Sequence, residues 1–290
     1  MPITNADSSI SATHKYQLSL APLMFTILDT PTFHCRACGK CCANIQGFAG
    51  EAEKEFLLEY GYGKLPLVQL VPVEEMTFPL WEFEAKRFLE YAKELGIDPK
   101  IRPYRGVLDL QSNTFIVFNY HMNSKSCPLL KTDGKCSIYG KERAFVCNLF
   151  PLNRSPFLHV DSPLDKSIFG NCGGLETIPE KLDYKDNDKL VGQLYHSFGH
   201  TFLAAVQHDL VMEWSNKLIL ELMKAKKIRP AINYPRDKLL RRIQNTRQVD
   251  LFEFLVEIGH FTQQEADATI ERFRNYEDAK ERVKQVTGSL

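Results

Sequence analysis

Eight cysteines carry the chemistry of this chain: Cys35, Cys38, Cys41, Cys42, Cys127, Cys136, Cys147 and Cys172, with none after Cys172 in a chain of 290 residues. Inert core cysteines occur singly and scattered; these are clustered. The first four read Cys35-x2-Cys38-x2-Cys41-Cys42. A two-residue gap lets a tight turn aim two sulfurs at one centre, with backbone amides facing the thiolates. Two such gaps in a row put three sulfurs on one wrapped loop. Structural zinc sites usually take one pair from each of two distant loops, whereas ferredoxin-type loops wrap a cluster with a run of this kind. Adjacent side chains diverge, so Cys42 is expected to serve a second site or to stand as a spare thiol beside the first.

The second group reads Cys127-Pro-Leu-Leu-Lys-Thr-Asp-Gly-Lys-Cys136. Asp133-Gly134 is a turn signal that folds Cys136 back toward Cys127. Ser137 is placed to cap a short helix carrying Tyr139, Arg143 and Cys147. These are spaced i, i+4, i+8 and would share a face. Four thiolates around Zn²⁺, or around an oxidised four-iron cluster, leave a formal charge near −2. Arg36, Lys40, Lys135 and Arg143 are the candidate counter-charges, and Phe33, Phe145, Phe150 and Pro151 a candidate dry wall. Disulfides would suit an exported chain, but Leu18–Leu28 lacks a strong basic lead and a cleavage site, and Pro22 interrupts it. A Cys41–Cys42 bridge would also be strained. The expected compartment is therefore the cytoplasm.

The pattern Phe33-x-Cys35-x2-Cys38-Gly39-x-Cys41-Cys42, then Cys127-Pro, Gly134-x-Cys136-x-Ile138-Tyr139-x3-Arg143 and Cys147-x2-Phe150-Pro151, resembles the CxxCxxCC (YkgJ-like) family of zinc- or iron-chelating cysteine-cluster proteins. The resemblance covers about residues 33–175. It departs from the family at Ala144, where Pro is usual, and at Asn148, where a basic residue is common. Neither departure removes a ligand. The resemblance implies metal binding. One branch is similar to flagellin lysine N-methylases, which use S-adenosylmethionine and carry an iron–sulfur cluster, so methyl transfer enters by analogy alone.

Other groups weigh less. His196 and His200 are four apart, with His208 beyond, but Ser197 stands where a zinc protease has Glu. They are read as partly buried helix histidines rather than ligands. Arg236, Lys238, Arg241, Arg242 and Arg247 read as a solvated helix face. Lys plus Arg and Asp plus Glu number 36 each, and that balance gives no reason to expect nucleic acid. No Gly-x-Gly-x-x-Gly follows a strand, so a Rossmann-type S-adenosylmethionine site has no motif. The first gap of two residues also departs from the Cys-x3-Cys-x2-Cys of radical enzymes.

The elements that must position these residues are mainly helical. Glu51–Tyr60 reads as a helix stopped by Gly61. Leu65–Pro79 is extended or turn-like. Ala85, Phe88, Leu89, Ala92 and Leu95 mark an amphipathic helix ended by Gly96. Val107–Leu110 and Thr114–Tyr120 flank Gln111-Ser112-Asn113 as a β-hairpin. Cys172 sits in a loop with Gly170, Gly173 and Gly174. Asn187–Lys226 predicts one long helix or two stacked ones. Leu251–Ile258 ends at Gly259, and Thr262–Glu265 has the capping-box form before a helix over Ala266–Tyr276. No stretch is long and apolar enough to span a bilayer.

The expected fold is mainly α with a small β-hairpin and irregular cysteine-rich loops packed with a helical C-terminal region. The expected organisation is a partly disordered lead-in over 1–29, a metal-binding domain over 30–178 and helices over 179–290. The expected metal ligands are the eight cysteines, with Tyr139 and Arg143 beside the cofactor. That cofactor is expected to be a 4Fe-4S cluster in a redox or catalytic role, with a zinc or iron ion as the alternative. A zinc-structured module would serve a protein partner.

Overall fold

The structure, a computed structural model, describes residues 32–46, 51–152, 155–158, 172–177, 182–183 and 186–288. The expectations for the lead-in over 1–29, Leu18–Leu28 included, and for Gly170 lie outside these residues. In chain order the elements are α1 (Lys40–Ala43), α2 (Glu51–Tyr60), β1 (Val68–Gln69), β2 (Leu80–Trp81), α3 (Glu82–Leu95), β3 (Ile101–Asp109) and β4 (Thr114–Met122). They continue with α4 (Phe145–Leu149), α5 (Asn187–Phe198), α6 (His200–Lys224), α7 (Arg236–Gln244), β5 (Arg247–Asp250), α8 (Leu251–Glu257), α9 (Gln263–Arg274) and α10 (Glu277–Thr287). The fold is thus mainly helical around a small sheet.

The expected strand pair is longer than its sequence signal and is not a free-standing hairpin. β3 and β4 pair antiparallel from Ile101↔Met122 to Asp109↔Thr114. Asp109 closes the turn: its carboxylate accepts from the Gln111 and Ser112 amides at 3.1 and 2.9 Å. Two-residue strands extend the sheet, β1 against β3 and β2 against β4. β5 runs parallel to β4 over Thr114–Val117. β4 is consequently buried along nearly its whole length, which explains its run Phe115-Ile116-Val117-Phe118.

α3 follows the apolar pattern only in part. Ala85, Phe88 and Ala92 are buried, but Leu89 and Leu95 are exposed. Gly96 ends the helix with φ +66°, a left-handed cap. Its first turn buries two carboxylates. Glu84 accepts from the Trp81 amide at 2.9 Å and from the Phe145 amide at 2.7 Å. Glu82 accepts from the Phe252 amide at 2.9 Å. One turn of α3 therefore supplies acceptors to three helix N-termini: its own, that of α4 and that of α8. Burial, the leading cause, pushes both carboxyls up to about 7.

Asn187–Lys226 forms two helices, not one. Gly199, at φ 50° and ψ −119°, separates α5 from α6. α6 is buried on every face from Phe202 to Asp209, because α4, α5 and α10 all pack on it. Gln207 gives the buried start of α10 an acceptor, 3.0 Å from the Ala279 amide. The capping box forms as expected, with Thr262 Oγ1 accepting from the Glu265 amide at 3.2 Å and Glu265 Oε2 from the Thr262 amide at 2.7 Å. The helix it opens begins at Gln263. Among the described residues no helix is long and apolar enough to cross a membrane.

Candidate metal centre

All eight cysteines line one cavity of about 170 Å³. They reach it from three stretches of chain, and backbone contacts hold the stretches together. The Cys127 amide donates to the Cys42 carbonyl at 2.8 Å. Gly39 lies so close to Gly134 that a Cβ on it would stand 1.9 Å from the Gly134 carbonyl oxygen. Gly39 also needs φ +70° to start α1. A side chain is excluded there twice over, once by space and once by conformation. Gly174 packs in the same manner on the Phe33 ring and the His34 carbonyl, seating the Cys172 turn beside the first loop.

The second loop folds as its turn signal predicts. Asp133 Oδ1 accepts from the Lys135 amide at 2.9 Å, the Gly134 amide donates to the Lys131 carbonyl at 3.0 Å, and Leu130 bridges to Cys136. The expected helix from Ser137 does not form. Both the amide and the hydroxyl of Ser137 donate to the Leu129 carbonyl, so the residue locks a turn instead of capping. The helix that does form, α4, starts at Phe145, its first amide held by Glu84. Arg143 is still near Cys147, but by a loop path. Its guanidinium stacks on the Tyr139 ring at 4.6 Å, and the Tyr139 hydroxyl donates to the Cys35 carbonyl at 3.0 Å. Tyr139 and Arg143 thereby tie the second loop to the first.

Cys41 and Cys42 do not diverge as expected. Their sulfurs are 3.9 Å apart, and both residues line the cavity. Cys35 and Cys38 are exposed, Cys127 is buried, and the others are half-buried. All eight thiols are free. Among the described residues no three Cys, His, Asp or Glu side chains are gathered as a single-ion ligand set. The eight residues surround a space.

The electrostatics suit a cation. Burial pushes the Cys127 thiol up to about 11, against lowering hydrogen bonds from the Leu129 and Leu130 amides. Cys147 is raised by burial first and then by Cys127, with Arg143 opposing. Cys41 is raised first by its hydrogen bond with Cys42 and then by burial, and Arg143 again opposes. Burial raises Cys172, and the Gly174 amide opposes. Thiols in this setting resist ionisation until a positive centre binds, after which a coordinating thiol is deprotonated outright. Amides already aimed at Cys127 and Cys172 would stabilise the thiolates. The soft sulfur donors select zinc, copper(I) or iron–sulfur centres over hard cations.

Of the expected counter-charges, Arg36, Lys40 and Arg143 line the cavity, whereas Lys135 is exposed and does not. Of the expected dry wall, Phe33 and Phe150 line it. Phe145 and Pro151 are buried behind it, and Ile45, Phe78, Met122 and Val146 take their place. Sequence reasoning missed these four because three belong to the stretch between the cysteine groups.

The histidines lie elsewhere. His196 and His200 are exposed on either side of the Gly199 break, and His208 is buried in α6. His200 sits edge-on to Tyr276 at 4.6 Å, and the desolvation of its ring there, followed by the Arg143 charge, lowers its pKa although the residue as a whole is exposed. The basic stretch is used structurally. Arg236 covers the Tyr62 ring at 4.1 Å, Arg242 donates to Asn113 at 2.9 Å, and Arg247 pairs with Glu257.

No curated protein and no solved structure matches the chain. Residues 34–166, which contain every cavity cysteine except Cys172, match the family model CxxCxxCC, a "putative zinc- or iron-chelating domain".

Proposed function

We propose that the cavity holds an iron–sulfur cluster of the four-iron type, bound by cysteine thiolates, in a redox or catalytic role. One observation carries this: all eight cysteines line one cavity of about 170 Å³. A void for one water-sized sphere is roughly 10–15 Å³. A lone zinc ion sits about 2.3 Å from each of its sulfurs and leaves no such space between them. The volume suits a polynuclear inorganic core. Cysteine thiolates of the cavity would hold it, with Arg36, Lys40 and Arg143 offsetting its negative charge. Phe33, Phe78, Met122 and Phe150 would keep water from it and so tune its potential. A bound cluster of this type supplies one-electron transfer.

A zinc reading has one observation of its own. Two thiolates on one tetrahedral zinc stand roughly 3.8 Å apart by the usual Zn–S length, and Cys41 and Cys42 stand at 3.9 Å. Methyl transfer rests on the resemblance alone. Anaerobic purification separates the readings. Iron with acid-labile sulfide and a brown colour is the expected result. Colourless protein with stoichiometric zinc overturns the cluster in favour of a zinc-structured interaction module. Cys136→Ser should release metal and lower stability; full retention would show that the second loop is not part of the centre.

A further inference from the structure

We infer that the eight sulfurs form two four-sulfur sets in one cavity, an inner set that keeps its metal and an outer set that exchanges it with solvent. This rests on the metal centre proposed above and goes beyond it by dividing the ligands. The inner set is Cys127, Cys136 and Cys147, and the outer is Cys35, Cys38 and Cys172. Each set is completed by one sulfur of the Cys41–Cys42 pair.

Burial grades the sulfurs. Cys127 belongs to the hydrophobic core at 9% exposure, Cys136, Cys147 and Cys172 pack against that core, and Cys35 and Cys38 are exposed. Chain packing makes the division and assigns Cys172 to the outer set. Cys127 and Cys136 are ends of one turn closed by the Leu130–Cys136 bridge, and Cys147 lies on α4, anchored from behind by Glu84. Cys172 is carried by a turn whose Gly174 lies against Phe33 and His34, next to Cys35. Cys41 and Cys42 lie on the same loop as Cys35 and Cys38, and the Cys127 amide donates to the Cys42 carbonyl at 2.8 Å, so the Cys41–Cys42 dipeptide stands between the sets. Four thiolates are a complete ligand set for one tetrahedral zinc or one four-iron cluster. Eight therefore suffice for two centres, and the exposed one would lose metal first. Cys172, beyond the segment that matches the family model, acquires a ligand role here.

The test is metal release from the full, metal-loaded chain under a chelator in oxygen-free buffer, followed by elemental analysis. Release in two phases of comparable amplitude is expected. Thiol alkylation quenched after the fast phase should label Cys35, Cys38 and Cys172 and spare Cys127, Cys136 and Cys147. The triple variant Cys35→Ser/Cys38→Ser/Cys172→Ser should retain about half the metal and lose only the fast phase. Single-phase release with uniform labelling overturns the division, as does a folded triple variant holding all of the metal or none. Alkylation of the native chain keeps the division testable should the triple variant not fold. Wild-type protein that carries no metal would instead sink the metal centre itself.

Discussion

Glu84 links the helical scaffold to the cysteine cavity, and its substitution by Gln has a pH signature that can be worked out in advance. The side chain is 1% exposed and accepts two buried amides, Trp81 at the start of α3 and Phe145 at the start of α4. Burial raises its carboxyl from 4.5 to about 7. The folded chain thus binds this proton more tightly than the unfolded chain. Between pH 4.5 and 7 the folded state carries more proton, so the group's contribution to stability falls as pH rises. At 1.36 kcal/mol per unit the full change is about 3 kcal/mol. Gln cannot ionise and lacks this slope. Glu82 titrates in the same direction but is present in both proteins, and its effect cancels in the difference. Chemical denaturation of wild type and Glu84→Gln at matched metal content, from pH 4 to pH 8, measures that difference. Whatever advantage Glu84 holds over Gln should be greatest at low pH and should shrink by about 3 kcal/mol by pH 8. A difference that stays flat, or an advantage that grows with pH, would show that the two amides hold the carboxylate ionised against its burial, and the argument would fail.

Gly39→Ala should cost roughly 2–4 kcal/mol from overpacking and left-handed strain together, and should empty the centre, read by thermal melting and metal content. Gly140→Ala, where an added Cβ meets nothing within 4 Å, is the control and should stay within about 0.5 kcal/mol of wild type. Arg143→Gln removes the cation that opposes the rise of Cys41 and Cys147. Metal affinity should drop about tenfold or more by chelator competition, with partial recovery in Arg143→Lys. Removing metal should lower the melting point yet leave far-UV circular dichroism little changed. Phe33, Ile45, Leu129 and Ile138 already bury the cysteine loops in the main core, and a cooperative loss of helix on chelation would contradict that anchoring.

What the sequence makes legible is what its local chemistry determines. Cysteine spacing locates the site, Asp133-Gly134 gives the turn between Cys127 and Cys136, and Gly96 and Thr262–Glu265 mark helix ends. Each signal acts within a few residues. What stays hidden acts across the chain. Glu82 and Glu84 look like ordinary first-turn acids of an amphipathic helix, yet their amide partners are 170 and 61 residues away. β1 and β2 are two residues long, too short for an alternating pattern to register. Gly199 sits inside an apolar helical run, where a lone glycine is tolerated more often than it breaks the helix. The i, i+4, i+8 spacing of Tyr139, Arg143 and Cys147 suggested a helix, but the Leu129 carbonyl competes for Ser137 and wins.

The stretch between the cysteine groups, residues 43–126, explains how so irregular a site is held. It contains β1 to β4 and α3, and β4 leads directly into the segment that delivers Cys127. The same stretch supplies Ile45, Phe78 and Met122 to the cavity wall and Glu84 to the N-terminus of α4. The apolar residues of the cysteine loops, Phe33, Ile45, Leu129 and Ile138, are buried in the main core, so the loops' positions are set by rigid neighbours. One of those neighbours is α6, which packs on α4. Of the two loops that carry most of the cysteines, the one bearing Cys127 and Cys136 is anchored in the core, while Cys35 and Cys38 face solvent. On the proposed division, the inner side would set how tightly the centre holds its metal, and the outer side its accessibility.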